Sequence, residues 1–217
     1  MNIAAAYLNQ FRKPTGWFGR FNLWSMNRRH SRLTDWGLSH VTVSADATIL
    51  DIGCGGGRTI QKLAALASRG KVYGVDFSET SVAMSRSANR QLVDEGRVVI
   101  QQASVSRLPF ADRTFDLVTA VETHFYWPDL PHDVREVLRV LKPGGTLALI
   151  AEAYKGGKHA RAMDLFADAM RPLGYSHLDV REHRELLVRA GYEDVQVLEE
   201  YDKGWLCGVG RRPQRTT

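Results

Sequence analysis

Residues 49–59 read Ile-Leu-Asp-Ile-Gly-Cys-Gly-Gly-Gly-Arg-Thr, and this stretch decides the fold. A short apolar run from Ala47 to Leu50 ends in a carboxylate, Asp51, and opens onto Gly53, Gly55, Gly56 and Gly57. Ile60, Leu63, Ala64 and Ala67 then recur at helical spacing. The pattern is a strand, a tight glycine turn and a helix N-terminus. Glycine lets a backbone turn sharply and approach a ligand that any Cβ would block. The helix start offers backbone N–H groups to an anionic part of that ligand. A nucleotide-like cofactor follows from these residues.

Three further stretches narrow the choice. The dinucleotide fingerprint needs G-x-G-x-x-G, but Arg58 stands where its third glycine belongs, and the run is D-x-G-x-G-x-G from Asp51. Lys71-Val-Tyr-Gly-Val-Asp76 reads as a second strand ending in an acid 19 residues after Gly57. A carboxylate there can accept hydrogen bonds from vicinal ribose hydroxyls, or, with Ser78, cap a helix expected near 79–95. Leu108-Pro-Phe-Ala-Asp-Arg-Thr-Phe-Asp-Leu-Val118 leads into a further strand, and Arg139-Val-Leu-Lys-Pro-Gly-Gly-Thr146 reads as a helix stop and turn before the next. Together, across residues 49–150, these motifs resemble those of class I S-adenosylmethionine (SAM)-dependent methyltransferases, in the type 11 group that includes small-molecule and natural-product enzymes.

That resemblance implies SAM as methyl donor. It assigns cofactor contacts to Asp51, Gly53, Cys54, Gly55 and Gly57, the ribose to Asp76 and the adenine to Phe77, Ser104 and Val105. The chain departs from the family where relatives carry an acid before the LPF segment: Gln102 to Arg107 holds none, and Ser104 stands at the matching place. Arg58 either neutralises the methionine carboxylate or pairs at the surface. The implied fold is α/β: a Rossmann-like, seven-stranded, mostly parallel sheet with helices on both faces and an antiparallel C-terminal hairpin. Periodicity agrees, with strands near 47–52, 71–76, 97–102, 115–121 and 146–153, helices near 157–171 and 179–190, and a hairpin from Val195 to Gly210.

Chemistry is expected just past the fourth strand, in Val121-Glu-Thr-His-Phe-Tyr-Trp127. Methyl transfer is an in-line displacement, so the protein's tasks are alignment and exclusion of water. An oxygen or carbon acid acceptor also needs a base. His124 is the candidate base because imidazole titrates near neutrality; a turn cap is the alternative. Glu122 orients that histidine, serves as base or holds the cofactor's amino group. Tyr126 and Trp127 shape an apolar substrate wall, and Asp129 with Pro131 marks a helix start. No metal is called for.

At 217 residues with two cysteines, one globular unit in a reducing cytoplasm is the simplest expectation, without a membrane span or leader. Its parts are a helical lid over 1–40, the methyltransferase domain over 41–211 and a basic tail over 212–217. The first 40 residues carry Arg12, Lys13, Arg20, Arg28, Arg29 and Arg32 against Asp35, with Trp17, Trp24 and Trp36 interleaved. This segment packs on the core, closes the substrate pocket, or does both, with His30 and Trp36 as its substrate contacts. The expected partner is a small aromatic or amphipathic metabolite, with a homodimer left open. Three other readings stand beside it: an RNA methyltransferase using the basic face, an NAD(P)-dependent oxidoreductase, and a SAM-binding partner protein without catalysis.

Overall fold

Alternation of side chains along the strands builds both cores. A computed structural model describes residues 30–152, 154–158 and 160–214. In chain order the elements are α1 (Ser31–Leu38), β1 (Thr48–Ile52), α2 (Arg58–Leu66), β2 (Lys71–Asp76), α3 (Glu79–Ala88), α4 (Arg90–Asp94), β3 (Val98–Gln102), β4 (Phe115–Val121), α5 (Leu130–Val140), β5 (Leu141–Glu152), α6 (Ala160–Met170), α7 (Val180–Ala190), β6 (Glu193–Glu200) and β7 (Trp205–Arg211). Ile49, Leu117, Ala148 and Ile150 face one side, where Leu33 and Leu38 of α1 and Ile60 and Leu63 of α2 cover them. Leu50, Val118, Leu147 and Leu149 face the other, against Val134 and Val137 of α5 and Leu187 of α7. The period of two is what a sheet covered on both faces requires.

The sheet has seven strands in the order β3-β2-β1-β4-β5-β7-β6. β1 to β5 are parallel, while β7 runs antiparallel to both β5 and β6. The order reverses between β1 and β4, and it is outside the carboxyl ends of such strands that open α/β sheets bind ligands. A third apolar cluster sits above that end, where Phe125, Ala151 and Tyr175 meet Ala167 and Met170 of α6.

Two local expectations change. The helix foreseen over 79–95 breaks at Asn89 into α3 and α4, because the Asn89 side chain donates to the carbonyls of Ser85 (2.8 Å) and Gly57 (3.1 Å). It thereby ties the helix to the glycine loop. The Leu141–Gly145 segment is no turn ahead of a strand. It is the irregular start of β5, where the register jumps from Phe115↔Leu141 to Leu117↔Thr146. Gly144 alone takes the left-handed conformation, at φ 75°. Gly145 is required for space, since a Cβ there would meet the carbonyl oxygens of Lys142 and Phe115 at 2.9 Å.

Of the lid expected over 1–40, residues 1–29 lie outside the described residues, Trp17 and Trp24 among them. The described part, α1, packs flat on the sheet: a Cβ on Gly37 would lie 2.5 Å from Ile150 Cδ1. Among the described residues no helix is long and apolar enough to cross a membrane, and no cluster of His, Cys, Asp and Glu could hold a metal ion.

Candidate active site

The cavity lies at the carboxyl ends of β1, β2 and β4, closed on one side by the N-terminal end of α1. Its floor is the glycine loop. Gly53 (φ 73°) and Gly55 (φ 50°) both hold left-handed backbone that L side chains rarely adopt. A Cβ on Gly53 would also run into Thr123, which follows β4. The loop's amides are mostly spent inside the protein. Gly53 and Cys54 N–H donate to the Val75 carbonyl at 2.8 and 3.0 Å, Gly57 to Cys54, and Gly55 to Asp76 Oδ2 at 2.9 Å. The loop therefore serves close approach rather than anion capture by these four amides.

Asp76 ends β2 and lines the cavity. Its Oδ1 accepts from Ser78 N–H at 2.8 Å and its Oδ2 from Gly55 N–H, which fixes the carboxylate in one orientation with lone pairs to spare. Burial pushes its pKa up, and these backbone donors counter it. The helix cap is Ser78, whose hydroxyl accepts from Ser81 N–H, so Asp76 is not needed for that task. Phe77, Ser104 and Val105 line the same cavity, with Phe77 56% exposed at its rim. Arg58 also lines it and donates to Gln61 at 2.9 Å. A carboxylate set for two hydroxyls, a backbone cradle that a Cβ would fill and an exposed aromatic ring together fit the ribose and adenine of SAM.

Of three further residues expected at the cofactor, two stand behind the cavity and one lines it. Asp51 is 1% exposed and does not line the cavity; Thr119 Oγ1 donates to its Oδ1 at 2.7 Å, and burial raises its pKa to about 7. Gly57 likewise stands behind the wall, where a Cβ would collide with Asn89 and Ser85. Cys54 lines the floor, but its thiol is pushed well above its ordinary pKa by burial. Gly74 in β2, which the sequence left unremarked, makes room for it: a Cβ there would lie 3.2 Å from Cys54 Sγ.

The loop after β4 supplies the opposite wall. Glu122 holds φ 59°, a strained backbone for a residue with a Cβ and of a kind that gathers at functional sites. Glu122, Tyr126 and Trp127 line the cavity with His30 and Thr34 of the α1 end. Glu122 Oε1 accepts from the backbone N–H of Glu152, and its Oε2 lies 4.0 Å from His30 Nε2. Glu152, at the end of the neighbouring strand, puts Oε2 3.7 Å from the same nitrogen. The strand-end rule that pointed to Glu122 would have found Glu152 as well.

His124 is not at the cavity. It is 2% exposed, and its Nε2 meets His183 Nε2 of α7 at 3.0 Å. His183 Nδ1 lies 2.7 Å from the Asp179 carbonyl, which must accept, so His183 Nε2 is the acceptor in the pair and His124 Nε2–H the donor. Burial, and the facing imidazole, hold the pKa of His124 well below its ordinary value. A neutral, enclosed imidazole of this kind braces the post-β4 loop through α7 and is not part of the cavity lining. Trp36 is also displaced: its ring packs 5.8 Å from Trp205 and 4.7 Å from His40, over the sheet. Two cations at the C-terminal end are engaged too, Arg211 with Asp194 at 3.7 Å and Arg212 with the carbonyls of Leu138, Arg139 and Leu141 at 2.6–2.8 Å.

Residues 50–149 match the family described as a methyltransferase domain. The chain is 37% identical over 119 residues to 27-O-demethylrifamycin SV methyltransferase of Amycolatopsis mediterranei, covering 55% of this chain and 43% of that protein. It is 34% identical over 125 residues to methyltransferase GfsG of Streptomyces halstedii, covering 58% and 45%. The chain thus spans under half the length of these curated relatives. Its fold matches the methyltransferase subunit solved in complex with the Haloferax volcanii Trm112 activator, with TM-score 0.77, 22% identity and 91% and 96% of the two chains covered. Residues 50–149 thus carry the methyltransferase-domain match, with SAM the methyl donor of that family, and the fold around them is the one seen in the solved neighbour.

Proposed function

We propose that this protein transfers a methyl group from SAM to a small aromatic or amphipathic metabolite. The observation that carries the reading is one cavity in which a hydroxyl-binding carboxylate, Asp76, and a glycine cradle face an aromatic wall of Tyr126 and Trp127. Bound there, SAM supplies a methyl group already activated on a sulfonium. Asp76 would hold the ribose, Phe77, Ser104 and Val105 the adenine, and Gly53 and Gly55 the close backbone approach. Tyr126 and Trp127 would exclude water and align an apolar acceptor at the far end. The relative named for a rifamycin substrate supports a small-molecule acceptor. Incubation with methyl-labelled SAM and two acceptor pools, small hydroxylated aromatics and total RNA, tests the reading. Label in the small aromatics is expected; label in RNA alone would overturn it.

A further inference from the structure

The aromatic wall of the cavity rests on a histidine pair that lies outside it. Tyr126 belongs to one short helical turn, His124–Tyr126, Trp127 follows directly, and both rings line the cavity. Among the described residues, two hydrogen bonds tie that turn to residues 175–183, where α7 begins. Ser176 N–H donates to the Phe125 carbonyl at 2.8 Å, and His124 Nε2–H donates to His183 Nε2 at 3.0 Å. Between them Tyr175 packs its ring 5.3 Å from Tyr126 and 5.2 Å from Phe125. The histidine bond is fixed at its far end by a capping box. Glu182 N–H donates to Asp179 Oδ1 at 2.7 Å, and Asp179 N–H donates to Glu182 Oε2 at 2.8 Å. The Asp179 carbonyl so held takes the Nδ1 proton of His183, which leaves Nε2 as the acceptor for His124. Both imidazoles are 2% exposed, and His124 Nδ1 meets no polar partner among the described residues. In such an enclosed site a hydrogen bond is strong and directional, so it sets where the turn lies.

We infer that the His124–His183 hydrogen bond positions the Tyr126–Trp127 wall against the methyl acceptor, which makes both histidines positioning residues for the acceptor and not for the donor. The inference rests on the methyltransferase reading above and extends it to a residue pair beyond the cavity. The donor side is held independently: Gly53, Gly55 and Asp76 are fixed by bonds to Val75, to one another and to Ser78, none of which involves a histidine. Methyl transfer depends on alignment, so a wall displaced by about 1 Å can cost on the order of 100-fold in rate. The bond requires two neutral imidazoles, since a further proton would set two N–H donors face to face, and burial keeps both neutral. The groups around His183 are Asp179 and Glu182 of α7 and His177 of the segment before it, and Glu182 is paired with Lys155 at 3.4 Å.

The test uses the full chain, para-cresol as acceptor, and protein labelled with fluorotryptophan, in which W127F identifies the Trp127 fluorine resonance. H124L/H183L replaces both bonded partners by apolar groups and should keep most of the stability. It should still lower kcat/KM for para-cresol by about tenfold or more and shift the Trp127 resonance. H124Q, whose amide N–H can reach His183 Nε2, should return both to near wild type. Calorimetry should find S-adenosylhomocysteine bound equally by all three proteins. Wild-type turnover in the double variant, or an H124Q no better than the double variant, would make the pair a structural contact and overturn the proposal. A loss of S-adenosylhomocysteine affinity that matches the loss of turnover would overturn it too, by moving the effect to the donor. Should wild type bind S-adenosylhomocysteine but leave para-cresol unmethylated, the hydroxylated-aromatic reading fails; an unmoved Trp127 resonance in the double variant then overturns the positioning claim by itself. Failure of wild type to bind S-adenosylhomocysteine would overturn the methyltransferase reading instead.

Discussion

Asp51 and the His124–His183 pair are buried ionisable groups whose effects on stability run in opposite directions. The Asp51 carboxyl is raised from 3.8 to about 7, so it stabilises most below pH 3.8, and that contribution is lost as pH rises towards 7. D51N keeps an oxygen for Thr119 and removes the ionisation. It should stabilise by up to about 4 kcal/mol at pH 8 and by less at pH 5, with the larger rise in Tm at pH 8, and leave S-adenosylhomocysteine affinity nearly unchanged. Thermal melts at the two pH values check this. The imidazoles are held neutral, with pKa values lowered by burial, so their contribution is complete above about pH 6.5 and falls as pH drops below it. H183L leaves the His124 Nε2–H buried without its acceptor and should cost about 1–3 kcal/mol, measured by denaturant unfolding. The double variant H124L/H183L should flatten the acid limb of the stability curve. The sequence named His124 for its place after β4 but could not show that it turns into the protein. Its partner is 59 residues away on α7, at a helix position no different in pattern from Leu187.

At the scale of elements, the glycine loop was legible because its chemistry is local: a positive φ and a missing Cβ are written as Gly. Gly53 and Gly57 nonetheless differ in purpose, since one clears Thr123 beside the cavity and the other clears Asn89 and Ser85 behind it. G53A should therefore weaken S-adenosylhomocysteine binding by tenfold or more, beyond any change in melting temperature. G57A should act mainly on stability, through the α2–α3 contact. Titration calorimetry with parallel melts separates the two. The reading of Leu141–Gly145 as a turn failed for a physical reason. Pro143 and Gly144 do break regular structure, but the neighbouring β4 strand captures the broken segment as the start of β5. Pairing of that kind is a tertiary effect that no local pattern displays.

For the molecule as a whole, the mostly parallel sheet and its antiparallel C-terminal hairpin were readable from strand spacing and the family resemblance, whereas the strand order is seen only in the folded sheet. Of the residues named for the cofactor, Gly53, Gly55, Asp76, Ser104 and Val105 line one cavity, because their motifs are local and sit at strand ends. His30, Glu122, Tyr126 and Trp127, also named from the sequence, line the same cavity, but Glu152 went unnamed, since the ends of α1, β4 and β5 meet only once the sheet is formed. On the function proposed above, Asp76 and the glycine cradle hold SAM across the ends of β1 and β2. Titration calorimetry of S-adenosylhomocysteine and NADH into wild type and D76N, with both proteins confirmed folded, tests it most directly. Wild type is expected to bind S-adenosylhomocysteine and not NADH, with binding weakened at least about tenfold in D76N, the scale of a lost charged hydrogen bond. Equal affinity of the two proteins for S-adenosylhomocysteine, or a preference of wild type for NADH, would contradict it.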